Sequence, residues 1–369
     1  MFGKILFVAP SMRAGGAEKV ITTLLKHVVN SKYEFHLALV EGVGPLLSSI
    51  PEQVEVHDLA AGRVSKAAGP LLKLIRRLRP QTVFASASHL NVLLGALRVA
   101  VPSGTRIVVR ETNVCERLTS HSFIGSTWRR FASAALNRVD AVVCQSEFMA
   151  RDLRDVFKIN EQLLHVIRNP VDLQSECPKA ERVTNPFATC SGSLNVMCIG
   201  SLIDVKGFDR VIEAFPALLN TRPNAHLWLL GEGPQRETLN EHARRLGIES
   251  RVHLVGYQSN VRPWLEHADL FVLSSKYESC SNALLEAVSR GCPVLSLRHS
   301  GGTAEILSIL GLDSRYVDSL LPWRDAWFTS SAGGEREALR RLFNSEAISS
   351  QYLELLSGQA SFKAARRTA

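Results

Sequence analysis

The chain has 369 residues, of which 46% are apolar and 21% are charged; this length exceeds one ordinary hydrophobic core, and this balance is typical of a globular protein with two domains. No stretch reaches the roughly 18 consecutive apolar residues of a membrane-spanning helix, and seven cysteines without a C-x-x-C pair argue against a disulfide framework or a zinc site. The net charge of +8 lies entirely in residues 1–185, which suggests that this half meets an anionic partner.

The first half alternates short apolar runs with amphipathic segments, which is the pattern of a parallel α/β sheet. Its opening run is too short for the apolar core of a signal peptide, so we predict a buried first strand and a cytoplasmic protein. The predicted strands of this half are residues 4–10, 34–40, 82–86, 106–110, 141–146 and 165–169.

The second half repeats the scheme, with predicted strands at residues 195–200, 226–231, 252–256, 270–275 and 293–297. Between the halves, residues 172–193 are polar and aperiodic, as expected of a linker. We therefore predict an α/β protein of two Rossmann-like, doubly wound parallel-sheet domains, residues 1–180 and 190–335. A helical tail at 336–369 follows, for which packing back on the N-terminal domain is one option. Ligands of such sheets bind beyond the carboxyl ends of the strands, here in a cleft between facing domains.

Glycines follow the first predicted strand of each half. Gly15 and Gly16 precede a helix, where backbone amides can approach an anion; a plain strand-to-helix connection is the alternative. Gly200 and Ser201 leave the first strand of the second half, and Lys206 follows at the expected ligand edge. This lysine suits a diphosphate, and a solvated turn lysine is the alternative.

Further along the second half, Gly231 and Gly233 form a tight turn against which a flat base could lie. The segment "KYESCSNALLEAVSRG" places Glu278 before a helix and Glu286 on it, and Ser281 or Asn282 caps that helix.

A diphosphate could rest on the amides of residues 281–283, because the positive end of the helix dipole favours anions there. Glu286 could then accept hydrogen bonds from ribose hydroxyls while Glu278 reaches a sugar. Ordinary helix glutamates are the alternative.

These segments together resemble the family-4 retaining glycosyltransferases of the GT-B fold, in which two glutamates are separated by seven residues. The resemblance extends over nearly the whole chain and keeps the order of the family's segments. They are "GGAEKV" (15–20), "VVCQSEFMARDL" (142–153), "VIRNPVD" (166–172), "GSLIDVKGFD" (200–209), "LLGEGPQRETL" (229–239), "ESCSNALLE" (278–286) and "SGGTAEIL" (300–307).

The resemblance implies a hexosyl- or N-acetylhexosaminyltransferase that assembles a bacterial surface polysaccharide, such as a lipopolysaccharide. Glu286 would bind the nucleotide ribose, Glu278 the donor sugar, and Lys206 the leaving diphosphate. The nucleotide-diphosphate sugar would be a co-substrate, with no other cofactor. No D-x-D triplet occurs, so no metal site is predicted. Ser201 stands where the family usually has arginine, and Arg262 or another basic residue would have to compensate.

The acceptor, a glycan or a lipid-linked oligosaccharide, would meet the basic first half. Arg110, Glu111 and Asn113 follow a predicted strand and resemble a segment that faces the acceptor in bacterial members of the family. His89, with Asn91 beside it, and His121 in a loop are weaker candidates. A strand-end salt bridge and structural histidines are the alternatives.

Two basic, partly apolar segments could contact an anionic membrane, at residues 71–80 and 121–132. For the first of them a core-facing helix is the favoured interpretation. If either segment binds lipid, the enzyme would work at the inner face of the cytoplasmic membrane.

Two other functions fit parts of the sequence. A nucleotide-sugar 2-epimerase shares the architecture, although the paired glutamates argue against it. A noncatalytic nucleic-acid-binding protein would explain the basic charge, but the basic residues are dispersed and no aromatic stacking platform accompanies them, so nucleic acid is not an expected partner.

Overall fold

The structure is a computed structural model that describes residues 3–13, 15–112, 123–171, 184–188, 192–329 and 333–359. The chain divides into two compact units. The first unit comprises residues 1–170 and 345–369, and the second comprises residues 171–344.

The first unit is built on a seven-stranded sheet with the strand order β3-β2-β1-β4-β5-β6-β7, and its strand pairs are parallel. The strands are β1 (Lys4–Ala9), β2 (Glu34–Leu39), β3 (Glu55–Asp58), β4 (Thr82–Ala85), β5 (Arg106–Arg110), β6 (Ala141–Cys144) and β7 (Leu164–Val166). The helices between them are α1 (Gly16–Val28), α2 (Ala68–Leu78), α3 (Ser88–Leu97), α4 (Phe123–Leu136) and α5 (Glu147–Val156).

The central strand β1 shows why this sequence forms a parallel sheet. Ile5 to Ala9 are all buried, because helices cover both faces of the sheet and each residue of the strand meets a core. Leu6 and Val8 pack on one face, whereas Ile5 and Phe7 pack on the other. A continuous apolar run rather than an alternating one is the result.

The second unit contains a six-stranded parallel sheet, ordered β10-β9-β8-β11-β13-β15, and a two-stranded parallel sheet, β12-β14. Its strands are β8 (Asn195–Ile199), β9 (His226–Leu230), β10 (Val252–Gly256), β11 (Leu270–Leu273), β12 (Tyr277–Glu278), β13 (Val294–Leu297), β14 (Ser300–Gly301) and β15 (Tyr316–Val317). Its helices are α6 (Phe208–Thr221), α7 (Arg236–Arg245), α8 (Arg262–His267), α9 (Asn282–Ser289), α10 (Thr303–Ile309) and α11 (Gly334–Leu342).

The last helix, α12 (Ser345–Ser357), belongs to the first unit. The Tyr352 ring packs edge-on against Phe84 at 5.8 Å between centroids, and the Thr82 hydroxyl donates to the carbonyl of Leu356 at 2.6 Å. The chain thus changes units at 170/171 and at 344/345, whereas the sequence placed these boundaries near 180–190 and 335/336. Most of the expected linker, residues 172–183 and 189–191, lies outside the described residues.

Every strand predicted from the sequence is present within a few residues, and the doubly wound parallel architecture is confirmed. The prediction missed β3, β12, β14 and β15. Strand β3 is an edge strand with mostly exposed residues, and the other three have two residues each, so none of them has a buried apolar run.

The described cysteines, Cys144, Cys198, Cys280 and Cys292, are buried and form no disulfide with one another. Cys115, Cys177 and Cys190 lie outside the described residues. None of the helices in the described ranges is both long enough and apolar enough to cross a membrane.

Candidate active site

Lys206 and Glu278 form an ion pair at the carboxyl edge of the second unit's sheet. Lys206 lies in the turn after β8, and Glu278 lies in β12, just beyond β11. Because β8 and β11 are neighbours in the sheet, their ends bring the two side chains together. Lys206 Nζ lies 2.8 Å from Glu278 Oε2, and the side chains are 24% and 14% exposed. The pair is therefore shielded but still open to a ligand.

Glu278 is held in its ionised form by its surroundings. Burial acts to raise the pKa of this carboxyl, but the charge of Lys206 and the hydrogen bond that it donates outweigh burial and bring the pKa below its ordinary value. Glu278 is consequently a carboxylate, and Lys206 has a counter-ion, before any ligand binds.

The backbone around Glu278 is fixed by a short parallel pairing. Glu278 of β12 pairs with Gly301 of β14, and the Gly302 amide donates to the Glu278 carbonyl at 3.0 Å. Gly301 has φ of 137°, and a Cβ at this residue would collide with the Glu278 carbonyl. The segment "SGG" at 300–302 thus allows the close approach that positions Glu278.

Helix α9 begins four residues after Glu278. Ser281 is its N-cap, with Oγ accepting from the Leu284 amide at 3.3 Å, so this part of the prediction is confirmed. Asn282 is the first helical residue, and Glu286 lies one turn further, partly buried. The first-turn amides and the helix dipole therefore present a positive end close to the ion pair.

The glycines of the neighbouring turns are packed against one another. The Gly200 amide donates to Leu230, and the Gly231 amide donates to Gly256, both at 2.9 Å. Gly231 is buried, and a Cβ there would collide with the Gly200 carbonyl. Close backbone packing is sufficient reason for glycine at both 231 and 233, because a Cβ at the partly exposed Gly233 would collide with the backbone of Leu202.

Arg210 is a basic residue linked to Lys206 through Ser274. Arg262 lies on α8 with its Nε 2.6 Å from Glu266 Oε1. Arg210 lies one turn beyond Lys206, and its guanidinium donates to the Ser274 carbonyl at 3.2 Å, while the Ser274 hydroxyl donates to the Lys206 carbonyl at 2.8 Å. Ser201 is exposed. Sequence reasoning missed Arg210 because spacing alone did not show that α6 starts against the end of β11.

His299, which follows β13, was also missed. Burial lowers the pKa of this imidazole; the hydrogen bond to Ser300 and the charge of Glu278 oppose that effect, and the charges of Arg210 and Lys206 add to it. Its Nδ1 lies 3.0 Å from the Ser300 carbonyl, and its buried Nε2 has no hydrogen-bond partner among the described residues. The signal in the sequence was its place after a strand end, before "SGG".

In the first unit, Arg110 and Glu111 are each 1% exposed at the end of β5. The Arg110 guanidinium donates to Ser86 Oγ at 2.8 Å and to Asn169 Oδ1 at 2.6 Å. Within this unit the arginine is thus enclosed and bound to neutral side chains.

The Glu111 carboxylate accepts hydrogen bonds from Ser88 Oγ and from Asn91 Nδ2, the latter at 3.3 Å. Asn91 also donates to the Arg110 carbonyl at 2.9 Å. His89 is exposed on the same helix, with its ring centroid 6.0 Å from that of Trp128. Asn113 and His121 lie outside the described residues.

Gly15 and Gly16 begin α1, where an anion was expected. Gly15 is the N-cap, and the Glu18 carboxylate lies against it, where a Cβ would collide with Oε2. Burial raises the pKa of Glu18, although a hydrogen bond from its own amide and the charge of Arg110 act in the opposite direction. Glu18, which sequence reasoning did not single out, therefore already places an acidic group at this helix end.

Two parallel α/β units, each with charged side chains at the carboxyl ends of its strands, define a two-domain α/β protein of the class that binds ligands at these ends. Residues 14–175 match the family model described as Glycosyltransferase Family 4, and residues 193–316 match the model described as Glycosyl transferases group 1. The two models together cover most of the chain. The chain belongs to the family-4 glycosyltransferases, and its fold is GT-B.

Relatives support this assignment. A lipopolysaccharide core biosynthesis glycosyltransferase, LpsE, from Rhizobium meliloti is 34% identical over 173 residues, which is 44% of this chain and 50% of LpsE. An N-acetylgalactosaminyltransferase from Campylobacter jejuni, which acts on N-acetylgalactosamine-N,N'-diacetylbacillosaminyl-diphospho-undecaprenol, is 25% identical over 80% of this chain and 81% of that protein. The chain thus spans half of the first relative and most of the second.

Solved structures show the same fold. Anabaena HepE in complex with UDP-glucose has a TM-score of 0.77 and 20% identity, over 96% of this chain and 100% of that one. WaaG, described as a glycosyltransferase involved in lipopolysaccharide biosynthesis, has a TM-score of 0.73 and 16% identity, over 96% and 100% of the two chains.

Proposed function

We propose that this protein transfers a sugar, with retention of anomeric configuration, from a nucleotide-diphosphate sugar to a glycan or lipid-linked glycan during surface polysaccharide assembly. The observation that carries the proposal is the Lys206–Glu278 ion pair, 2.8 Å long, in front of the positive end of α9. A cation and a helix amino end match the diphosphate of a nucleotide-sugar donor, and an adjacent carboxylate matches its sugar hydroxyls.

In this proposal the diphosphate rests on the amides of Ser281 and Asn282, beside Gly200 and Ser201. Glu286, one turn into α9, accepts hydrogen bonds from the ribose hydroxyls. The turn at Gly231 and Gly233 flanks the base.

Glu278 accepts hydrogen bonds from the hydroxyls of the donor sugar. The buried Nε2 of His299 is a second polar atom with which a sugar hydroxyl can form a hydrogen bond.

Charge development explains why Lys206 is central. As the glycosidic bond to the diphosphate breaks, the sugar becomes oxocarbenium-like and negative charge grows on the leaving phosphate. Lys206, released from Glu278 towards the phosphate, stabilises that charge in a shielded site. The leaving phosphate takes the proton of the acceptor hydroxyl, and the acceptor oxygen bonds to the anomeric carbon from the face that the phosphate leaves, so the configuration is retained.

We also propose that transfer needs no metal ion. Lys206 and Arg210, with the amino end of α9, supply the positive charge that a phosphate-bound metal ion supplies in other enzymes. Transfer should therefore continue at an undiminished rate in excess EDTA, and a complete loss that Mg²⁺ or Mn²⁺ restores would contradict this part of the proposal.

The first unit would bind the acceptor. His89 is exposed and available for contact, whereas Arg110 and Glu111 are buried and would shape the strand ends from within. The Gly15–Gly16 turn would accept an anion only if Glu18 is protonated or moves away from it. An acceptor on a lipid diphosphate accords with the acceptor named for the Campylobacter relative.

Membrane contact would involve α4 rather than α2. The apolar face of α2, with Leu71, Leu74 and Ile75, is buried in the core, so this helix has no apolar face left for lipid. On α4, Phe131 is 50% exposed beside the exposed Arg130. Flotation with anionic and neutral vesicles, comparing the protein with Phe131→Ser, tests this contact; equal binding of both proteins would exclude it.

The function itself is tested by a thermal-shift panel of nucleotide diphosphates and nucleotide sugars, followed by transfer assays with the best donor. Binding raises the apparent stability of the folded protein. We expect one nucleotide-sugar class to raise Tm in the wild type and not in Glu286→Ala, and the product to keep the donor's anomeric configuration by NMR. An epimerised nucleotide sugar formed without acceptor would instead show a 2-epimerase.

A further inference from the structure

The first unit contains a cluster of two histidines and a glutamate at the edge of its sheet, far in sequence from the site described above. His36 lies on β2, and Glu55 and His57 lie on β3. His36 Nδ1 is 3.1 Å from His57 Nε2 and 3.2 Å from Glu55 Oε2, and His57 Nε2 is 3.7 Å from Glu55 Oε1. One potential ligand atom from each of the three residues thus lies within 4.8 Å of the other two.

The strand register explains this convergence. In the parallel pairing of β2 and β3, His36 is opposite Glu55 and Ala38 is opposite His57. Side chains two residues apart on a strand share a face, so the three side chains lie on the same side of the sheet.

The spacing matches a metal site. With ligand bonds of about 2.0–2.1 Å and tetrahedral geometry, neighbouring ligand atoms of a zinc ion lie about 3.3 Å apart. The two histidine nitrogens are 3.1 Å apart, and each lies 3.2 or 3.7 Å from one of the two Glu55 carboxylate oxygens, which is close to this value. We propose that His36 Nδ1, His57 Nε2 and the Glu55 carboxylate bind a divalent ion of the zinc class, with water completing the coordination.

A further carboxylate lies beside the buried histidine. Glu34 Oε1 is 2.9 Å from His36 Nε2, but the two atoms do not form a hydrogen bond, and this nitrogen has no hydrogen-bond partner among the described residues. The negative charge of Glu34 still favours a proton on Nε2, which leaves the lone pair of Nδ1 available to an ion. Ligating histidines commonly face such a carboxylate with their second nitrogen. Lys4, 3.4 Å from the same Glu34 oxygen, and Arg77, whose charge reaches His57, oppose a cation, and the two glutamates offset them.

The second unit offers a natural comparison. His226 on β9 and His253 on β10 occupy the two strands that correspond to β2 and β3, with a nitrogen pair at 2.8 Å and the same 25° between ring planes. There, however, Arg251 Nη1 lies 3.1 Å from His226 Nε2. Among the described residues, the His36, Glu55 and His57 group is the one in which such ligand atoms gather.

The geometry gives the ion a structural role. Strand β3 is the edge of the sheet, and Glu55 is 63% exposed, so an ion can enter from solvent. Since His36 is 1% exposed and Glu55 and His57 come from the next strand, a bound ion would fasten the edge strand to the core.

The experiment uses untagged, chelator-treated protein, with Co²⁺ absorption to show coordination and Zn²⁺ competition against a chromophoric chelator to give affinity. We expect one tight site in the wild type. Glu34→Gln removes a negative charge beside the site and should weaken Zn²⁺ by roughly tenfold, the lower end of the range for outer-shell partners, and Glu55→Gln and His57→Gln should weaken it further. His253→Gln is the matched control and should bind as the wild type does.

A Tm measurement separates binding from misfolding, because Glu55 is exposed and its replacement should leave the chelator-treated protein folded. Zn²⁺ should raise the Tm of the wild type and of His253→Gln, but not that of Glu55→Gln. The proposal is wrong if the wild type shows no site, or if Glu55→Gln and His57→Gln bind Zn²⁺ as tightly as the wild type.

Discussion

Two carboxylates, one in each unit, lie near strand ends and have pKa values that are shifted in opposite directions. Glu18 lies in the first turn of α1, after β1, and Glu278 lies just before α9, after β11. Burial raises the pKa of Glu18, and the opposing influences, its own amide and the charge of Arg110, do not compensate. Burial has the same tendency at Glu278, but Lys206 reverses it.

The difference lies in what each cation is bound to. Arg110 of the first unit is enclosed by Ser86 and Asn169, so it serves the packing of the strand ends. Lys206 of the second unit is bound to a carboxylate that a ligand can replace, and it keeps 24% of its side chain exposed. We infer that strand-end charges maintain structure in the first unit and carry out chemistry in the second.

The largest effect expected from this difference between the units is on catalysis. Lys206→Ala should lower kcat/KM by about 10²–10³, the range seen when one group that stabilises transition-state charge is removed. Initial rates of transfer with a saturating acceptor measure it.

Lys276→Ala is the matched control, because Lys276 lies in the same loop region but pairs with the exposed Asp204 at 2.7 Å. Its removal should change the rate only a few-fold at most. Equal losses in the two variants would show that Lys206 has no special role.

The next effect concerns the first unit. Asn91→Ala removes the hydrogen bonds to the Arg110 carbonyl and the Glu111 carboxylate, both buried, so it should lower the free energy of unfolding by about 1–3 kcal/mol. Urea unfolding measures the change.

Asn30, in the exposed turn after α1, supplies the control, and Asn30→Ala should stay within about 0.5 kcal/mol of the wild type. If Asn91→Ala unfolds at the wild-type urea concentration, the buried network does not support the strand ends.

A third prediction compares how Glu18 and Glu278 change the stability of the protein with pH, because the two effects have opposite signs. The pKa of Glu18 is raised above its ordinary 4.5, so its contribution to stability is present below that pH and is lost as pH rises through the folded-state pKa. The pKa of Glu278 is lowered from 4.5, so its contribution is present above that pH and is lost as pH falls through the folded-state pKa.

Glu18→Gln should therefore stabilise the protein at neutral pH, and Glu278→Gln should destabilise it there while flattening the loss of stability in acid. Urea titrations at several pH values between 3 and 8 would compare the variants. If both variants changed the free energy of unfolding in the same direction at neutral pH, the proposed contrast between the two units would be wrong.

Sequence patterns predicted the parallel strands well because strands buried on both faces are continuous apolar runs, as in β1 and β11. They missed β3, whose four residues are mostly exposed, and with it the pairing of His36 and Glu55. An edge strand has no continuous apolar run, so only its pairing register shows which side chains it places beside those of the next strand.

The candidate site was predicted in the same uneven way. Motif spacing placed Glu278, Ser281 and Lys206 on one sheet edge, but it did not show that Arg210 lies against Ser274 or that His299 lies near Glu278. Those contacts depend on tertiary packing between different elements, and Arg210 and Ser274 are 64 residues apart in the sequence. Likewise, the spacing of residues in the sequence does not show whether the Arg110 side chain is buried or exposed.

The smallest predicted effect concerns Ser201, where the family resemblance predicts arginine. Ser201 is exposed beside the turn that carries Lys206, and exposed charge pairs contribute only about 0–1 kcal/mol. Ser201→Arg should thus raise kcat by no more than about fivefold, and the gain should shrink at high ionic strength because salt screens exposed charges. Ser201→Gln, similar in length but uncharged, should match the wild type.

If Arg210 already supplies the second positive charge, Arg210→Gln should lower kcat, and Ser201→Arg should recover activity in that background more than in the wild type. Additive changes in the double variant would mean that the two positions do not act on the same leaving group.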